Sequence, residues 1–123
     1  MRHAPFALLL VAALAGCERT TLERHPMPGA SAARGQALIG EVGCASCHAI
    51  PGVKWPKGRV GPSLKGFADA GLIAGRFPNE PAALALWVRN AQALAPGSGM
   101  PPMPLTEPEA RDVAAYLYTL DAR

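Results

Sequence analysis

Cys44-Ala45-Ser46-Cys47-His48 constrains this chain more than any other stretch. Two thiols three positions apart, with a histidine directly after the second, form the C-x-x-C-H pattern of covalent c-type haem attachment. Both thiols can add across the vinyl groups of one porphyrin, and an imidazole fixed beside the second anchor can reach the iron. A macrocycle bonded to the backbone dictates the fold around it. With 123 residues, 13 glycines, 13 prolines and few aromatics, the chain suits one small domain with irregular connections. So small a core needs a staple, and the porphyrin supplies one, so folding and attachment are expected to be coupled.

A third cysteine is explained by the N-terminus. Met1-Arg2-His3 precedes an apolar run from Ala4 to Ala15 that is shorter than the roughly 20 residues a spanning helix needs. It reads as an export signal. Leu14-Ala15-Gly16-Cys17 closes the run and resembles a bacterial lipobox, which implies cleavage before Cys17 and a diacylglyceryl group on its sulfur. Residues 1–16 are therefore expected to be a lipoprotein signal peptide, 17–30 a lipid anchor and flexible tether, and 31–123 the folded domain. Residues 18–30 hold prolines, a glycine and scattered charges without helical period. Fully extended they could span about 45 Å. Export and haem attachment corroborate each other, because in bacteria the thioether chemistry takes place outside the cytoplasmic membrane.

Removal of the signal leaves eleven basic against nine acidic side chains, too little positive charge for a nucleic-acid-binding face. Three helices are expected and no strand. The first runs from Ser31 to Val42, with Ser31 as N-cap, after which Gly43 lets the chain turn into the haem motif. A second is predicted over about Pro81 to Ala93, with Asn79 as a possible cap and Leu84, Val88 and Trp87 on its buried side. Thr106 and Glu109 form a T-x-x-E capping box, and Ala110, Val113, Ala114, Leu117 and Leu120 follow at spacings of three and four. The fold class is all-α.

His48 is the histidine placed to bind iron; His3 leaves with the signal, and His25 falls in the tether. For the opposite face, Ala95-Pro96-Gly97-Ser98-Gly99-Met100-Pro101-Pro102-Met103-Pro104 offers two thioethers on a segment that proline keeps from being helical. A thioether stabilises ferrous relative to ferric iron and so suits an electron carrier. Met100 is preferred over Met103, since the glycines before it allow close approach and the proline pair restricts the loop after it.

A first helix, C-x-x-C-H, the segment Gly61-Pro62-Ser63-Leu64 and a methionine loop leading into a last helix, in that order, resemble the class I monohaem cytochromes c. The likeness covers about Ala32 to Leu120, and Met100-Pro101-Pro102 is similar to the bacterial short cytochromes, in which the methionine before the prolines binds iron. The resemblance implies three to five short helices packed around one covalent haem c. It implies that the Pro62 carbonyl accepts a hydrogen bond from the His48 ring and that Leu64 belongs to the same segment. It further implies that Gly35 and Tyr116 meet between first and last helices, and that Arg59, Trp55 and Trp87 line the haem edge. Lys54, Lys57, Arg59 and Lys65 follow the haem motif with no acid between Glu41 and Asp69, a basic rim able to steer an acidic partner.

The function expected is a non-enzymatic, membrane-tethered electron carrier of a respiratory chain, on the periplasmic side, serving a haem-copper oxidase or a dehydrogenase. The alternatives are a haem enzyme or gas sensor with a labile sixth ligand, and a thiol-redox or zinc site. Neither a βαβ context nor a second ligand pair is visible for the last. Mass analysis of the mature protein is expected to find a diacylated Cys17 as first residue; an unacylated N-terminus elsewhere would end the lipoprotein reading.

Overall fold

The structure, a computed structural model, describes residues 24–122. The signal peptide, Cys17 and the first part of the tether lie outside the described residues. Among the described residues, four α-helices are named in chain order: α1 (Ala32–Glu41), α2 (Pro81–Arg89), α3 (Ala91–Leu94) and α4 (Glu107–Leu117). No helix among the described residues is long and apolar enough to cross a membrane.

α1 begins where its cap predicts, the Ser31 hydroxyl accepting from the Arg34 N–H at 3.3 Å. Val42 ends it, and Gly43, at φ 80°, turns the chain into a 3-10 turn over Cys44–Ser46. α4 carries the predicted capping box in full: Thr106 accepts from the Glu109 N–H, and Glu109 accepts from the Thr106 N–H at 2.7 Å. These two helices cross at Gly35. A Cβ there would drive into the backbone carbonyl of Asp112 and lie 2.9 Å from the Val113 nitrogen. The crossing is pinned by Asp112, only 4% exposed, which accepts from the Ser31 N–H at 2.6 Å and from Arg34 Nε at 2.8 Å. Tyr116, one turn after Asp112 on α4, donates from its hydroxyl to Pro51 O at 2.7 Å.

The predicted second helix is broken. Asn90 leaves helical geometry (φ −155°, ψ 81°) and caps the separate turn α3, its side chain accepting from the Ala93 N–H at 3.1 Å. The N-cap position of α2 is Glu80, whose side chain makes no capping bond, and Asn79 before it is committed elsewhere. Asn79 is buried, donates from Nδ2 to Phe67 O (3.1 Å) and Ala70 O (2.9 Å), and accepts from the Tyr118 hydroxyl. It fastens α4 to the loop 67–70, a role that local pattern cannot show. Leu72–Ile73 and Phe77–Pro78 form a two-residue antiparallel hairpin with Ile73 paired to Phe77, too short to leave an alternating signature. Ile39, Ile73, Leu84, Val113 and Tyr118 are the largest fully buried side chains, so the core lies where α1, α2, α4 and the hairpin meet.

Residues 24–30 of the expected tether lie along α4. His25 stacks on Tyr118 with ring centroids 4.1 Å apart and donates from Nε2 to Ala68 O. Arg24 pairs with Asp69, Met27 packs against the core, and Pro28 O accepts from Arg111. Proline and scattered charge resemble a linker in sequence, yet these side chains find partners that only the folded domain provides.

The Arg34 hydrogen bond, followed by the Ser31 N–H and the charge of Arg34, holds the Asp112 carboxyl below its ordinary range against the opposing effect of burial. A lowered folded value means stabilisation present above the unfolded pKa of about 4 and lost as pH falls through the folded value. Asp112→Asn is therefore expected to destabilise the domain at neutral pH, with the gap to wild type closing as acid is added below about pH 4. Denaturant melts across pH check this.

Candidate functional site

Residues 44–64 form a loop laced to itself. The Cys47 and His48 N–H groups donate to Cys44 O at 3.2 and 3.1 Å, closing the haem motif into a turn. The returning strand of the loop then bonds back three times: Gly58 N to Ala45 O (2.8 Å), Gly61 N to Cys47 O (2.8 Å) and Leu64 N to Ala49 O (2.9 Å). Close approach needs glycine, because a Cβ at Gly58 would strike the Ser46–Cys47 backbone. The sequence signal for this was the Gly58-x-x-Gly61 spacing, which the family segment Gly61-Pro62 only half captured.

His48 sits between these strands. Its Nδ1 lies 2.7 Å from Pro62 O. A carbonyl only accepts, so Nδ1 carries the proton and Nε2 keeps its lone pair for a metal. The ring is also held from the side: a Cβ on Gly61 would lie 2.6 Å from Nδ1 and 2.9 Å from Nε2. Orientation by a carbonyl makes the imidazole a stronger, directed donor.

Cys44 is half-buried against the core and Cys47 is exposed, and neither is in a disulfide. Burial pushes the Cys44 thiol up, so it rests as neutral thiol. Among the described residues no group of three or more His, Cys, Asp or Glu side chains is placed to hold a metal ion. Two free thiols beside one directed imidazole fit a haem bonded to both sulfurs, with Nε2 toward the iron.

The two methionines differ in setting. Met103 is tied to the end of α2 by its N–H to Arg89 O (2.9 Å), and it lines an open surface groove with Arg89, Asn90 and Leu105. Both are half-buried against the core, but the Met100 N–H donates within its own loop, to Ser98 Oγ at 3.2 Å. Leu64 packs against the same core. Trp87 packs against Phe77, ring centroids 5.9 Å apart, whereas Trp55 is 84% exposed and Arg59 is exposed. Trp55 and Arg59 ride the outer part of the loop, whose position the haem motif fixes at Gly58, Gly61 and Pro62.

The sequence model of the family described as Cytochrome c matches residues 32–121. Comparison with curated proteins gave no match. Gly61→Ala is expected to push the His48 ring off its carbonyl and to cost the haem-loaded protein about 1–3 kcal/mol in denaturant unfolding. Gly40→Ala, a helical site with nothing within 4 Å of the added carbon, serves as the control and should lose nothing.

Proposed function

The chain belongs to the cytochrome c family, and from that premise we propose that it is a membrane-tethered electron carrier of a respiratory chain, its iron held by His48 and Met100. As a family member it carries one covalently bound haem c, which supplies a one-electron Fe(II)/Fe(III) couple. The observation that carries the ligand reading is the 2.7 Å bond from His48 Nδ1 to Pro62 O. It leaves one nitrogen, on a ring that cannot turn, in reach of a metal fixed by Cys44 and Cys47.

The chain's own residues have three tasks in such a carrier. Cys44 and Cys47 anchor the macrocycle. His48, clamped by Gly61 and Pro62, keeps its orientation when the charge on the metal changes, so little reorganisation accompanies electron movement. Met100 supplies a neutral, soft donor that favours the reduced state. Its place on the glycine-rich loop, bonded only to Ser98 of that loop whereas Met103 is tied to Arg89 of α2, supports it as the sixth ligand.

The rest of the reading concerns place and partner. Acylated Cys17 would hold the domain at the periplasmic face of a bacterial membrane. With Arg24 already paired to Asp69, the free reach between lipid and domain is at most about 25 Å rather than 45 Å. Lys54, Lys57, Arg59 and Lys65 are all exposed, and Trp55 and Val60 stand 84% and 88% exposed among them. A cationic rim with apolar contacts at its centre suits brief docking to an acidic surface, such as that of a haem-copper oxidase or a dehydrogenase.

Ferric wild-type protein is expected to show the weak long-wavelength charge-transfer band of methionine sulfur on haem iron. Met100→Ala should abolish it and Met103→Ala should leave it; survival of the band in Met100→Ala would overturn the assignment.

A further inference from the structure

The loop that carries Met100 is poor in constraints of its own. Gly97 and Gly99 flank Ser98, and each adds backbone freedom that must be removed if the thioether is to be presented in one place. Gly97 takes φ 90°, a conformation other residues resist. Beyond it, Pro101 and Pro102 have no N–H to donate, and the next backbone bond to a helix comes only at Met103.

Two side chains supply what the backbone lacks. Gln92, on α3, donates from Nε2 to Ser98 O at 3.2 Å. The Ser98 N–H donates to Ala95 O at 3.0 Å, so Ser98 is held to the end of α3 at both its amide and its carbonyl. Its hydroxyl then accepts from the Met100 N–H at 3.2 Å. The contacts run in series, from α3 through Ser98 to the backbone of the methionine. α3 is itself set by the Asn90 cap, which breaks the preceding helix. That break turns Gln92 toward the loop.

We propose that Gln92 and Ser98 are positioning residues that hold Met100 ready for the iron, so that the strength of sulfur ligation is set in part by α3. The inference rests on Met100 being the sixth ligand. In ferric protein, added imidazole competes with the methionine for the same coordination position, and its apparent affinity reports how firmly the sulfur is held. Each hydrogen bond lost should raise that affinity about twofold to tenfold.

The experiment is an imidazole titration of haem-loaded ferric protein, followed optically, with the reduction potential measured on the same samples. Ser98→Ala and Gln92→Glu, which keeps the shape of glutamine but cannot donate, are expected to bind imidazole about twofold to tenfold more tightly and to have lower potentials. Ser98→Thr keeps the hydroxyl and should behave as wild type. Because the contacts act in series, the double variant Gln92→Glu with Ser98→Ala should match Ser98→Ala alone rather than multiply the two effects. Wild-type affinity and potential in Ser98→Ala and Gln92→Glu would overturn the positioning role while the methionine band of wild type, lost in Met100→Ala, left the ligand reading standing. Absence of that band in wild type would overturn both.

Discussion

The crossing of α1 over α4 at Gly35 is the constraint on which the rest of the molecule depends. Without a side chain there, the backbone of α1 comes into contact with the Asp112–Val113 backbone, and no other residue type could occupy the position without separating the helices. Asp112 then locks the crossing through Ser31 and Arg34. A buried carboxylate with partners on the opposing helix ties one relative placement of the two, whereas apolar packing alone tolerates small slips. From this joint the C-terminal end of α1 delivers Cys44, Cys47 and His48, and α4 carries Tyr116 to Pro51 and Tyr118 to Asn79.

The same economy governs the site. Backbone bonds from Gly58, Gly61 and Leu64 draw the loop against the haem motif, and the Pro62 carbonyl that results is what fixes His48. On the other side, a methionine on a glycine-rich loop is held by side chains instead. Of the two proposed iron ligands, His48 is thus set by backbone geometry and Met100 by two substitutable residues. A carrier of the cytochrome c family must keep its coordination while its charge changes, and rigidity on the histidine side serves that requirement.

Much of this was legible in the chain. C-x-x-C-H, the Ser31 cap and the Thr106–Glu109 box act within a few residues, so their partners are implied by the pattern itself. Asn79 shows the limit. Placed just before a helix, it has the identity of a cap, but it bonds Phe67, Ala70 and Tyr118, up to 39 positions away, and the N-cap position falls to Glu80 without a side-chain bond. Residues 24–30 show it again, since His25 and Arg24 acquire partners only when Tyr118 and Asp69 are brought beside them.

By itself the sequence determined the haem chemistry, the all-α class, both ends of the first helix and the start of the last, because each rests on contacts between near neighbours; the last helix stops at Leu117, short of the Leu120 that its periodicity includes. Only the tertiary structure decided which polar groups become buried hubs, where the second helix breaks, how far the N-terminal segment docks and what holds the Met100 loop. The hubs and the docked segment depend on groups far apart in the chain, and no local spacing encodes which of them the folded backbone will bring within hydrogen-bonding distance.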